Sequence, residues 1–245
     1  MIRVLVWNEF RHEKIKESVK ANYPNGIHET IADFLRCDDI TVKTAWLDQE
    51  NCGITKEILD ETDVLIWWGH MAHKEVPDEV AALVRDAVNS GMGAIFLHSA
   101  HHSKPFKALM GTSCNLCWRE SGDSEILWVT NPSHPIVQGI DRYIKLPNEE
   151  TYGEPFGIPN PDELLFIGNY SGGEVFRSGC LYRREYGKVF YFQPGHETFP
   201  TYHIPEVQTV IRNAVRFVAP TYRVTLECPH VRKITDDEPY VIIKK

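Results

Sequence analysis

The histidines of this chain are gathered at particular places. There are eleven. His70 and His73 follow an apolar run (WWGHMAH). His98 ends another, with His101 and His102 just beyond it (LHSAHHS). His196 follows a third (FQPGHE), and His12 lies shortly after the first. Imidazole is the usual ligand for zinc and similar metals and the commonest acid or base near neutral pH. In open α/β sheets, ligands bind outside the carboxyl ends of the strands. Histidines repeated at that end predict one polar site, with His70, His73, His98 and His196 as ligands of a divalent metal, zinc in the first instance. The spacing of His70 and His73 is not the i, i+4 pair of helical zinc motifs, so the set must be assembled from several strand ends. Taken singly, any one of these residues reads more plainly as a surface or hydrogen-bonding histidine.

The pair Glu149–Glu150 can supply a carboxylate ligand or a base, although adjacent acids usually mark a solvated surface. Ser99 sits just past a strand end, where a strand-to-helix elbow would expose its hydroxyl. The glycines of a G-x-S-x-G elbow are missing. Cys114 and Cys117 form a single CxxC with no second pair, which favours buried thiols over a structural zinc site. Trp7, Trp67, Trp68, Trp118 and Trp128 read as core or pocket wall. No phosphate-binding loop and no G-x-G-x-x-G appear, so no nucleotide cofactor is expected.

The elements that must position these groups alternate. Arg3–Trp7, Thr41–Leu47, Val64–Trp68 and Gly93–His98 read as strands, the last as a middle strand, because such continuous apolar runs suit strands buried on both faces. Helices are predicted over Gly26–Arg36, Thr55–Glu61 (Thr55 as N-cap) and Pro77–Asn89, where Val80, Leu83, Val84, Ala87 and Val88 form one stripe. From Ile126 onward the chain is richer in strand, glycine and proline: Ile126–Thr130, Glu163–Ile167, Gly173–Arg177 and Gly187–Gln193. A helix opened by Pro205 and closed by Pro220 follows. Arg223–Leu226 and Tyr240–Ile243 have strand propensity. The expectation is one domain over residues 1–245, with a core to 218 and a tail from 219, and a mostly parallel sheet between helices.

Bulk properties exclude other classes. A net charge of −8 with no basic stripe argues against nucleic acid as a partner. Apolar runs such as Val64–Trp68 are too short to span a bilayer. No signal-like segment precedes the first strand, and six cysteines in 245 residues do not form a disulfide scaffold, so a cytoplasmic protein is expected. A homo-oligomer is compatible with the sequence, which does not set its number.

Several longer segments carry a family likeness: WNEF at 7–10, YPNGIH at 23–28, DVLIWWGHMAH at 63–73, GMGAIFLHSAHHSK at 91–104, GTSCNLCWRE at 111–120, HPI at 134–136, YGEPFGIPNPDELLFI at 152–167, GGEVFRSG at 172–179 and FYFQPGHETFPTY at 190–202. Together, over about residues 1–218, they resemble the ThuA-like, trehalose-utilisation family. The resemblance implies a flavodoxin-like three-layer α/β/α sandwich, similar in fold to class I glutamine amidotransferases. In those enzymes a cysteine at the elbow works with a His-Pro-Glu. Here the elbow position matches Ser99 and the second position matches His196–Glu197, so glutaminase chemistry, which needs a thiolate, is not expected.

The resemblance also implies a role in disaccharide metabolism, beside dehydrogenases that oxidise a sugar hydroxyl to a ketone. A keto-sugar has an acidified C–H, and a metal with a nearby His or Glu could isomerise it or eliminate its glycosidic partner. On this reading His196, Glu197, Glu150 and Ser99 are the catalytic candidates. Asn8, Glu9, Trp68, His101, His102 and Tyr152 are the substrate contacts, and the partner is a small sugar. Two competing readings are a non-catalytic sugar-binding module and a hydrolase using Ser99 and His196.

Overall fold

The computed structural model describes residues 1–230. The expected strand at Tyr240–Ile243 lies outside the described residues. The chain opens with β1 (Ile2–Asn8), two short helices α1 (His12–Ile15) and α2 (Glu17–Asn22), and α3 (Ile27–Leu35). Then come β2 (Ile40–Trp46), α4 (Lys56–Asp60), β3 (Val64–Trp68), α5 (Asp78–Asn89), β4 (Gly93–Leu97) and α6 (Lys104–Met110). The second half runs β5 (Cys117–Val129), β6 (Tyr143–Gly153), β7 (Glu163–Tyr170), β8 (Val175–Arg184), β9 (Gly187–Phe192) and α7 (Pro205–Val218).

The strands form one nine-stranded sheet in the order β2-β1-β3-β4-β9-β8-β7-β5-β6. From β2 to β9 neighbours are parallel. From β9 to β6 they are antiparallel. The sheet is therefore mixed, where a mostly parallel one is expected from sequence. The physical reason is connection length: β5 to β9 follow one another without the crossover helix a parallel pair needs.

All five residues of β3 and of β4 are buried. Leu65, Trp67 and Phe96 face one core with Val80, Val84 and Phe106 of α5 and α6. Ile66, Trp68, Ile95 and Leu97 face another with Ile31 of α3 and Val207, Ile211 and Val215 of α7. Helices thus cover both faces of the parallel half, and β4 lies inside the sheet between β3 and β9. Each such aliphatic side chain stabilises the fold by about 1.5–3 kcal/mol, so strand-end residues can be altered without removing the core. Gly93 is required by close approach, since a Cβ there would stand 2.5 Å from the carbonyl oxygen of Val218.

Three sequence expectations change. Ile126–Thr130 is the end of the longer β5, and β6 was not anticipated because its polar PNEET stretch has no strand-like alternation. Gly173–Arg177 is the start of β8, displaced toward Val175–Arg184. Arg223–Leu226 forms no strand: the Val224 N–H bonds the Ser90 carbonyl (2.9 Å), and the Arg223 guanidinium bonds the Leu59 carbonyl (2.7 Å), so a side chain secures this segment. Among the described residues no helix is long and apolar enough to cross a membrane.

Candidate functional site

Three loops at the carboxyl ends of β3, β4 and β9 bring His70, His98 and His196 together. Their ring centroids are 5.6 Å (His70–His98), 5.1 Å (His70–His196) and 5.3 Å (His98–His196) apart. Glu150 joins them from β6. One donor atom from each of the four residues can be chosen so that all lie within 4.8 Å of one another. A second group, His12, His70 and Glu197, satisfies the same condition and shares His70.

Two buried glutamates hold the loops in place. Glu9 accepts the backbone N–H groups of His70 (2.8 Å), Met71 (2.9 Å) and Ala72 (2.9 Å). Glu149 accepts those of Gly195 (3.0 Å), His196 (3.0 Å) and its own neighbour Glu150 (3.1 Å), and the Thr201 hydroxyl (3.0 Å). Burial pushes Glu9 upward and Glu149 up to about 7, against the lowering effect of those amides. Glu149 and Glu150 can both turn inward because β5 bulges opposite them: Arg119 pairs with Thr151 and Asp123 with Glu149, so three β5 residues stand opposite Glu150 alone. Such a bulge re-aims side chains. Glu120, the first residue of that bulge, places Oε1 3.4 Å from Nε2 of His196, although its side chain is 58% exposed and that of His196 only 2%.

His98 occupies the elbow. Its φ is +51°, a left-handed value, so the position held by the nucleophile in strand-to-helix elbows is filled here by an imidazole and not by Ser99. The His98 ring stacks with those of Trp68 (6.4 Å, 16°) and Tyr152 (5.5 Å, 17°). Its Nδ1 faces the Gln193 carbonyl at 3.3 Å. A carbonyl only accepts, so Nδ1 carries the proton and Nε2 a lone pair. That lone pair meets Oε2 of Glu150 at 3.2 Å.

Acceptor thus faces acceptor, and neither atom has a hydrogen bond. The contact requires a positive centre between them, a proton or a cation. Two ligands of a tetrahedral zinc ion stand about 3.3 Å apart, and His70 supplies a further donor that a shared proton would not need. Burial, first, and the neighbouring imidazoles push His70 down to about 4, and burial pushes His98 to about 4, so both are neutral ligands at neutral pH. Burial raises Glu150. The residues present therefore fit a divalent metal.

Glu197 is wholly buried beside this group. His12 Nδ1 lies against its Oε1, Lys16 Nζ is 3.5 Å from Oε1, and His70 Nδ1 is 3.4 Å from Oε2. Burial alone would raise it, but His12 and the imidazoles of His70 and His196 more than offset this and hold the carboxyl well below its usual range. Neither oxygen is aligned for a hydrogen bond.

Other candidates from the sequence lie elsewhere or do other work. His73 is not among the four donors: it opens a short 3-10 turn, and its ring faces His102 at 6.2 Å. His101 is buried with Nδ1 on the Cys114 carbonyl (2.8 Å), and His102 packs on it (4.3 Å). Ser99 bonds the Tyr152 hydroxyl (2.6 Å), not His196. Asn8 is consumed by Glu13 (2.7 Å) and His28 (3.0 Å). Trp68 donates to the Gly195 carbonyl (3.0 Å). Asn8, Glu9, Trp68, His101 and Tyr152 are thus buried and internally bonded. Sequence reasoning assigned no role to His12, Lys16 or Glu120. Only His12 left a signal, lying just beyond a strand end.

The fold has solved relatives. A ThuA-like protein of Bacteroides uniformis superposes with a TM-score of 0.63 at 16% identity, covering 89% of this chain and 91% of that one. A cytoplasmic protein of Salmonella typhimurium gives 0.61 at 12% identity, over 90% and 100% of the two chains. A glutamine amidotransferase of Thermotoga maritima gives 0.56 at 10% identity, over 89% and 97%. At these identities the likeness is one of fold: an α/β protein of glutamine amidotransferase-like architecture. Within that class the sequence is more specific. The model of the ThuA family, described as trehalose utilisation, matches residues 3–218, and the chain belongs to that family. No sequence relative is found among curated proteins.

Proposed function

We propose that this chain is a sugar-metabolising enzyme in which His70, His98 and Glu150 hold a divalent metal, zinc by the nitrogen-rich donor set, and that it moves a proton on a keto-sugar. The single observation that carries this reading is the unpartnered lone-pair contact of His98 Nε2 with Glu150 Oε2 at 3.2 Å, with His70 beside it. When bound, the metal would act as a Lewis acid on a substrate carbonyl and so acidify the adjacent C–H.

The chain's own residues supply the rest. Trp68, Tyr152 and the Gln193 carbonyl orient His98. Such partners set a ligand's tautomer and direction. Glu197, ionised and with Oε2 free of hydrogen bonds, accepts the proton, and His12 against its Oε1 shares it. The acceptor is a weak base because its neighbours favour the carboxylate, so the chemistry depends on prior acidification of the substrate. Isomerisation or elimination next to the carbonyl both follow from this step. The family description, trehalose utilisation, supports a disaccharide or a product of one. A cytoplasmic setting is supported by six free thiols.

A Ser–His hydrolase gains no support, because Ser99 is bonded to Tyr152 and lacks a base. Elemental analysis of protein purified without added metal tests the proposal. About one ion per chain is expected, lost in His98→Ala; a metal-free wild-type protein that also fails to take up zinc overturns it.

A further inference from the structure

His98 and His196 look equivalent by position, but their hydrogen bonds are opposite. The backbone N–H of Thr198 points at Nδ1 of His196 (3.2 Å). A backbone amide can only donate. Nδ1 must therefore offer its lone pair, and a neutral imidazole then carries its one proton on Nε2. In His98 the partner of Nδ1 is a carbonyl, which can only accept, so the lone pair is on Nε2. Metal ligation needs the lone pair at the atom that faces the metal. His98 presents it, and His196 presents N–H. Ligation by His196 through Nε2 would require a proton on Nδ1, where it would collide with the proton of the Thr198 amide.

The surroundings of Nε2 agree. It is buried, has no hydrogen bond, and has two carboxylate oxygens near it, Glu120 Oε1 at 3.4 Å and Glu197 Oε2 at 3.6 Å. Glu120 reaches it from the β5 bulge, the exposed side of the site. An unmet donor beside acceptors that are long or misaligned for a bond marks a place where a ligand oxygen would fit.

We infer that His196 is not a metal ligand but a neutral hydrogen-bond donor for a substrate oxygen, with Glu120 as its partner at the mouth of the site. The inference rests on the metal reading above and narrows it. Two imidazoles and one carboxylate hold the ion and leave coordination open. The ligand class that satisfies both features has two neighbouring oxygens, one for the metal and one for the Nε2–H of His196. A carbonyl with an adjacent hydroxyl, as in a keto-sugar, has that form. No proton is transferred by His196: it stabilises charge that develops on the oxygen, as preorganised donors do.

Two measurements on the full chain test this. The first is titration of metal-free protein with zinc alone. His196→Ala and His196→Gln should bind zinc within about threefold of wild type, whereas His70→Ala and His98→Ala should lose a hundredfold or more, beyond the 10–100-fold typical of outer-sphere changes. Circular dichroism identifies any variant that fails to fold, and the glutamine variant keeps a donor at this position. The second is nitrogen-15 NMR of the histidine side chains. His196 should carry its proton on Nε2 with and without zinc, and His98 on Nδ1. Zinc loss in both His196 variants, or a proton on Nδ1 of His196, overturns the inference. Failure of the wild-type chain to bind zinc overturns the metal reading instead, and the NMR result then still decides the role of His196.

Discussion

His98 and Glu150 face each other with acceptor against acceptor, Nε2 to Oε2, across 3.2 Å. The first residue leaves β4 in a left-handed conformation, and the second lies on β6, at the far end of the sheet order. They meet because Glu149, one residue earlier, grips the loop after β9 and draws β6 over the carboxyl ends of the parallel strands. The site is therefore a joint product of the parallel half, which supplies the imidazoles, and the antiparallel half, which supplies the carboxylate.

Glu9 should prove to be a positioning residue. Glu9→Ala leaves the amides of His70, Met71 and Ala72 without their acceptor. Zinc affinity should fall by about 10–100-fold, the usual effect of removing an outer-sphere partner, while near-ultraviolet circular dichroism keeps its wild-type form. Unchanged affinity would mean that the loop holds its shape without Glu9.

Ser99 should not act as a nucleophile. Ser99→Ala removes its bond to Tyr152 and should cost about 1 kcal/mol of stability with zinc content intact. The wild-type protein should release no ammonia from glutamine, since the elbow carries His98 and no thiolate. Ammonia release at an ordinary enzymatic rate would contradict the assignment of the elbow.

Glu125 should make the protein less stable as pH rises. It is fully buried on β5, with one oxygen on the Ser178 hydroxyl (3.0 Å) and the other unpartnered. Burial, and then the charge of Glu149, raises it well above the ordinary glutamate value of 4.5. Below that ordinary value, folded and unfolded chains both hold the proton and the residue has no pH effect. Above it the unfolded chain releases the proton and the folded chain keeps it, so stability falls by up to about 1.4 kcal/mol per pH unit until the folded value is passed. Glu125→Gln removes this dependence. Denaturant unfolding should show the variant gaining on wild type between about pH 5 and pH 8, and a constant difference would show that Glu125 titrates as it does in water.

The legible parts of this molecule are those that repeat. β1, β3 and β4 stand out as apolar runs, and α5 and α7 as stripes, because two-sided burial and one-sided burial write different periods. The convergence of His70, His98 and His196 follows from their place after such strands. The carboxylates were harder to place. Glu120 depends on a bulge and Glu150 on a strand that crosses the sheet end, and neither leaves a period in the sequence. Asn8, Glu9 and Tyr152 show a further ambiguity: a buried polar residue beside a site can hold a loop or meet a ligand, and its residue type does not say which. His73 shows the limit of spacing: a 3-10 turn rotates it toward His102.

The most direct test of the central claim is metal stoichiometry in wild type and His98→Ala, measured side by side by elemental analysis after exhaustive dialysis and reloading with zinc. The site described here predicts about one zinc ion per wild-type chain, with three protein ligands and an open position. It predicts none in His98→Ala, whose circular dichroism should remain that of the wild type because β4 keeps its buried residues. Equal zinc in both proteins, or none in either, would contradict a metal held between His98, His70 and Glu150.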